Sequence, residues 1–265
     1  NLGLHLLIVG LVWGVASSLG LRWPWFAAGL MALHPLSSQA VSYISGRADL
    51  VSTAGIALAV WAMLARWPAA LRVVVGLLGA WVAVAGKESG VVVLPLLVLA
   101  GLVRGYRLPA SRWVAVGVVV ALLTGSAVVG PKVAALNHRL ATVGTGASDL
   151  VPAQTWAEKQ AQATWIHVGH VVWPRALTVD HDVDASPFPA LALLLWLWVP
   201  VAAWLCWLVS PVVGFGVAWV WVCVALRLVV QTPMSYLAEH QFYGALIGVS
   251  LLASALVGGR RRGEV

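Results

Sequence analysis

ALALLLWLWVPVAAWLCWLV, residues 190–209, carries no charged side chain, and beyond Ser210 and Pro211 the run VVGFGVAWVWVCVALRLVV, residues 212–230, carries only Arg227. About 20 helical residues at 1.5 Å each cross the ~30 Å hydrocarbon core of a bilayer. Two such runs joined by a two-residue break therefore read as a membrane helical hairpin. The same texture extends outward along the chain. Apolar runs at 2–21, 25–33, 50–65, 70–85, 91–103, 113–130 and 242–257 raise the expectation to about nine crossings. Of 265 residues, 61% are hydrophobic, and the 16 Lys and Arg and 9 Asp and Glu fall almost wholly in the breaks, which no soluble domain of this size requires. The expected fold is an all-α polytopic transmembrane bundle, one domain over residues 1–265.

The net charge of +7 points to membrane topology rather than to nucleic acid, because basic residues accumulate on one side of membrane proteins. Cys206 and Cys223 both fall inside apolar runs, where a thiol behaves as a small hydrophobe, so neither a disulfide framework nor a zinc site is expected. The chain opens at Asn1 directly into a full-length run without a charged n-region, unlike a signal peptide. A further span and loop are expected ahead of residue 1.

The breaks alternate in charge. One set holds Arg22, Arg66, Arg72, Arg104, Arg107, Arg112, Arg260, Arg261 and Arg262 against a single acid, Glu264. The other holds Arg47, Lys87, Lys132, Arg139, Lys159 and Arg175 together with Asp49, Glu88, Asp149, Glu158, Asp180, Asp182, Asp184 and Glu239. The basic set is expected in the cytoplasm, with the C-terminus inside and Asn1 outside. Nearly every carboxylate, and every His except His5, then belongs to the outer face. That points to a site at one surface rather than a conduit through the bilayer. The long outer loop, 131–189, carries WAEKQAQATWIHVGHVVW, whose helical spacing predicts a helix lying along or dipping into the interface. The many Trp residues inside the runs read as lipid-facing or packing side chains, or as the lining of a groove for a lipid tail.

Four polar segments carry candidate chemistry. In HPLSSQAVSYISGRADLVST, residues 34–53, His34, Gln39, Arg47 and Asp49 exceed what a simple turn needs, although an acid in a first helical turn is also favoured by the helix dipole. In GKESG, residues 86–90, Lys87 and Glu88 stand at membrane depth, either as a pair reaching to the outer edge or with partners inside the bundle. LTVDHDVDASP, residues 177–187, offers Asp180, His181 and Asp182 to a divalent cation, to substrate or simply to solvent. Its spacing is no strong metal signature, and no cofactor is expected. In QTPMSYLAEHQFYGAL, residues 231–246, Glu239, His240 and Tyr243 enter the last run from outside, as interface anchors or as site residues.

Taken in order, these segments resemble a known family. HPLSSQAVSYISGRADL, GKESGVVVLP, VVWPRALTVDHD and YLAEHQFYGALIGVSLL are similar to stretches of the transmembrane and tetratricopeptide-repeat-containing O-mannosyltransferases and their bacterial relatives, within the GT-C superfamily of membrane glycosyltransferases. The resemblance implies a polyprenyl-phosphate sugar as donor, a protein or glycan as acceptor, and transfer at the outer face of the plasma membrane. It implies that Arg47 and Lys87 meet the phosphate, that Asp49 orients Arg47, and that His34 and Glu88 shape the pocket. Asp180 and Glu239 would border the acceptor entry, with Gln39 and His240 among the substrate-binding residues. Gln39 stands where the family has Glu and His240 where it has Arg. No catalytic base is assigned within these residues, and the expected base lies ahead of residue 1. The alternative is a non-catalytic scaffold subunit, built on a degenerate fold of this kind and assembled with other membrane proteins.

The charge asymmetry generates a test of sidedness. With Cys206 and Cys223 replaced, a membrane-impermeant thiol reagent applied to intact cells should label a Ser148→Cys variant and leave a Ser111→Cys variant unlabelled. The reverse pattern would invert the topology.

Overall fold

The computed structural model describes residues 1–44, 46–105, 153–174, 189–229 and 242–260. Helices form where the apolar runs predicted them, with ends moved by a few residues. They are α1 (Leu2–Ser18), α2 (Pro24–Leu33), α3 (Ser37–Ser42), α4 (Arg47–Leu64), α5 (Ala69–Gly86), a 3-10 turn (Glu88–Val92), α6 (Val93–Val103), α7 (Ala153–Val172), α8 (Pro189–Val209), α9 (Pro211–Val229) and α10 (Tyr243–Gly258). Among the described residues there is no strand, only an isolated bridge between Leu21 and Arg260. The run 113–130 and much of the long loop lie outside the described residues. The helix expected from WAEKQAQATWIHVGHVVW is α7.

Among the described residues three helices are long and apolar enough to cross a membrane: Arg47–Leu64, Ala69–Gly86 and Ala190–Val209. The remaining apolar helices are shorter. α2 has only 10 residues, opened by Pro24 in its first turn and followed by an extended His34 ahead of Pro35, and the fifth run divides into the 3-10 turn and α6.

α4 sits at the centre, packed by α1, α5, α6 and α10. Its contact with α5 is the tightest in the bundle, and the sequence explains why. Ser52, Gly55 and Ala59 form one small-residue face of α4, and Gly79, Ala83 and Gly86 form the matching face of α5. A Cβ on Gly55 would lie 2.6 Å from the Gly79 carbonyl oxygen and would run into the Ala83 backbone, while one on Gly79 would lie 2.6 Å from the Ala59 nitrogen. A Cβ on Gly86 would meet the Ser52 nitrogen at 2.8 Å. Lipid tails are as apolar as Leu, so helices in a bilayer associate through close packing rather than hydrophobic burial, and small residues permit it. The same device recurs between α9 and α10, where a Cβ on Gly248 would meet the Gly216 carbonyl at 2.9 Å.

One end of the bundle is closed by backbone and arginine contacts. The α1–α2 turn, with Gly20 at φ 71°, is pinned to the end of α10: the Arg22 amide donates to the Gly259 carbonyl at 3.1 Å, and Ser254 Oγ donates to the Trp23 carbonyl at 2.8 Å. Arg104 Nη1 donates to the carbonyls of Met63 and Ala65 at 2.6 and 2.7 Å. Those carbonyls end α4, where no intrahelical donor remains, so Arg104 both caps the helix and answers its dipole. Outward, α5 exposes Val73, Val74, Leu77, Leu78 and Trp81, and α8 exposes Leu194, Leu197, Trp198, Trp204 and Leu208. In water such continuous apolar faces would be a liability; against lipid tails they are an ordinary outer surface.

The α4–α5 packing generates a stability test. Gly55→Ala should lower stability in detergent by about 1–3 kcal/mol, as overpacking does where backbone must move. Gly76→Ala, on the same helix pair but with nothing within 4 Å of the new methyl, should leave thermal stability unchanged or raised. Equal effects from the two would refute the close approach.

Candidate functional site

The α4–α5 register has a consequence at the end opposite Arg104. Ser52 faces Gly86, and continuing the antiparallel pairing by one turn sets Asp49 against the residues just past α5. Asp49 lies in the first turn of α4, and Lys87 is the extended residue that ends α5. Lys87 Nζ donates to Asp49 Oδ1 at 2.7 Å, with the two side chains 26% and 13% exposed. A carboxylate at a helix N-terminus and an ammonium at a helix C-terminus each suit the local dipole, so both helices reinforce the pair. Gly90 fastens the 3-10 turn beneath it, since any Cβ there would run into the Ala83 carbonyl and lie 2.8 Å from Ser52 Oγ.

Asp49 therefore pairs with Lys87 and not with Arg47, the orientation the resemblance implied. The two residues are two apart on one helix and face different directions. Arg47 is exposed and makes no ion pair among the described residues. Glu88, at the start of the 3-10 turn, is exposed too, whereas Gln39 is buried on α3.

His34 is buried at the end of α2, and both of its ring nitrogens serve the protein itself. Nε2 faces the Val171 carbonyl at 3.0 Å and so carries the proton; Nδ1 accepts the Leu36 amide at 3.2 Å. His34 thereby caps the last turn of α7 and ties that helix to the α2–α3 corner. Asp180, His181, Asp182, Glu239 and His240 lie outside the described residues. Among the described residues no group of three or more His, Cys, Asp or Glu is placed to hold a metal ion.

Two features of this end escaped the sequence reading. His5, set apart there as the one His away from the outer breaks, is buried one turn into α1. Its Nδ1 lies 2.7 Å from the Tyr243 hydroxyl and its Nε2 3.3 Å from the Ala32 carbonyl. The carbonyl can only accept, so Nε2 donates and Nδ1 accepts the Tyr243 proton. The sequence held the signal: α1 begins at this end, where the Asn1 side-chain amide donates to the Tyr43 carbonyl, so a His one turn in belongs with the outer group. The second feature is the polarity of α7, whose buried residues include Gln160, Gln162 and His167.

Chemically, this end presents an exposed guanidinium, an ammonium already matched by a carboxylate, and buried neutral imidazole–hydroxyl and amide groups. Of these cations the Arg47 guanidinium is open to solvent, whereas the Lys87 ammonium is matched by Asp49. Removing either charge of the pair alone should destabilise the protein more than removing both. A double-mutant cycle of Asp49→Asn and Lys87→Met, read by thermal unfolding in detergent, should show a coupling of about 1–3 kcal/mol. Additive effects would mean that the pair contributes nothing to the fold.

Against known proteins, the chain matches no family model, no curated protein and no solved structure.

Proposed function

We propose that this chain is an integral membrane glycosyltransferase of the GT-C type. In this reading about nine helices span a bacterial plasma membrane with the C-terminus in the cytoplasm, and sugar moves from a polyprenyl-phosphate carrier to an external protein or glycan acceptor. The observation that carries the reading is the Asp49–Lys87 pair at the mouth of the α4–α5 pair, with the exposed Arg47 at the start of the same helix as Asp49. It lies at the end of the bundle away from Arg22, Arg66, Arg72, Arg104 and Arg260.

In the proposed reaction an acceptor hydroxyl attacks the anomeric carbon. The bond from that carbon to the phosphate oxygen breaks with inversion, the phosphate leaves on its lipid, and the acceptor proton passes to a carboxylate. Positive groups fixed at the leaving phosphate stabilise the charge that develops there. Arg47 offers a planar two-pronged donor, and Lys87 becomes available as the phosphate competes with Asp49. His34, Gln39 and Glu88 shape the pocket, with Asp180, Glu239 and His240 at the acceptor entry.

A second reading is favoured by the matched charge of Lys87 and the uncharged Gln39: a scaffold subunit that keeps the fold and performs no transfer, held in a complex with other membrane proteins.

The test is transfer of labelled hexose from a polyprenyl-phosphate donor by membranes containing the full-length protein. Arg47→Ala and Lys87→Ala should each lower transfer about ten- to a hundredfold, the equivalent of roughly 1.5–3 kcal/mol for a lost charge-assisted hydrogen bond. Arg47→Lys should restore only part. Because Arg47 is exposed, its variants should keep the wild-type unfolding midpoint. Absence of transfer from any such donor, with stoichiometric co-purification of other membrane subunits, would replace this reading with the scaffold.

A further inference from the structure

α7 is built the reverse way round from a helix on a water-soluble protein. Gln160 and His167, seven residues apart on one face, are each only 3% exposed, whereas Ile166 is 37% and Val172, the last residue of the helix, 78% exposed. A helix that turns polar groups inward and apolar groups outward suits lipid on one side and a polar interior on the other. The interior wall opposite is aromatic. Trp196 of α8 and Trp221 of α9 have ring centroids 5.2 Å apart, in a cluster that also holds Ala161 of α7, Leu36 and Phe242. His167 stacks on Phe242 at 5.1 Å, with the two rings 8° from parallel.

The hydrogen-bond balance of this wall is incomplete. The indole N–H of Trp165 donates to the Ala192 carbonyl at 3.0 Å, and that of Trp219 to the Gly244 carbonyl at 2.9 Å. The indole N–H groups of Trp196 and Trp221 are buried and have no acceptor among the described residues. Unmet donors away from water are rare, and adjacent ones rarer. Pro200 adds an acceptor beside them. It interrupts α8, and having no N–H it leaves the carbonyl four residues earlier, that of Trp196, without its helical donor. The adjacent rings of Trp196 on α8 and Trp221 on α9 thus present two indole donors beside a backbone acceptor, and α8 contributes no charge at all.

A hydroxyl both gives and takes a hydrogen bond, whereas a phosphate only accepts and calls for cations. Flat aromatic faces also suit the C–H faces of a pyranose. We propose that Trp196, Trp221 and the buried polar face of α7 form a binding site for the uncharged glycosyl group of a membrane lipid; this rests on the glycosyltransferase reading and locates the donor sugar. The charged carrier end is then left to Arg47 and Lys87.

The experiment measures binding of two probes, polyprenyl-phosphate hexose and sugar-free polyprenyl phosphate, to the full-length protein in nanodiscs. Trp196→Phe and Trp221→Phe keep the ring and remove the N–H. Each should weaken the hexose lipid about two- to tenfold, the range for one neutral hydrogen bond, and leave the sugar-free lipid unchanged. Without lipid, both variants should unfold at the wild-type temperature or above, because an unmet donor has been removed. Unchanged affinity for the hexose lipid, or equal weakening of both lipids, overturns the sugar site and leaves the glycosyltransferase reading standing. A lowered unfolding midpoint assigns the N–H groups to the fold and also overturns the site. Wild-type protein that binds neither lipid overturns both.

Discussion

The contact on which the rest of the structure depends is the meeting of α4 and α5 backbones at Gly55 and Gly79. No side chain stands between the helices there, so their register is set by steric fit rather than by adaptable packing. That register carries Asp49 to Lys87, and it seats the 3-10 turn through Gly90. A larger residue at either glycine would separate the helices and displace both charges. The polar end of the bundle is thus positioned by some of its least polar residues.

The two ends of the bundle use charge in opposite ways. At one end Arg104 spends its guanidinium on the carbonyls that finish α4, and the turn before α2 is held to the end of α10 by backbone hydrogen bonds. At the other end Arg47 is exposed, and Lys87 has a partner that another anion can replace. The first arrangement completes the fold, and the second leaves chemistry available. The charge asymmetry legible in the linear chain therefore corresponds to a difference in what the residues do.

The apolar runs were legible because a membrane helix must be continuous and apolar, and that demand is local. The helices α1, α4, α5, α8, α9 and α10 begin and end within a few residues of the runs that announced them. α3 and the 3-10 turn were not legible, being short and made of polar or mixed residues whose conformation comes from neighbours. Arg47, Asp49 and Lys87 could be named as a group from their shared side, but their pairing could not. It depends on a glycine register between two separate runs, and nothing in either run shows the match. His5 was missed because a lone His in an apolar stretch looks like an isolated exception until Tyr243, 238 positions away, is brought against it. The polar face of α7 was missed because helical spacing shows that a helix has two faces and does not say which one lipid will take.

One guanidinium nitrogen of Arg104 meets both the Met63 and Ala65 carbonyls, so the clasp ties the end of α6 to the end of α4. With the turn before α2 also fastened to α10, the floor of this bundle behaves as a fixed base. At the opposite rim α7 is held by fewer and more varied ties: His34 to the Val171 carbonyl, the Trp165 indole to the Ala192 carbonyl, and the stack of His167 on Phe242.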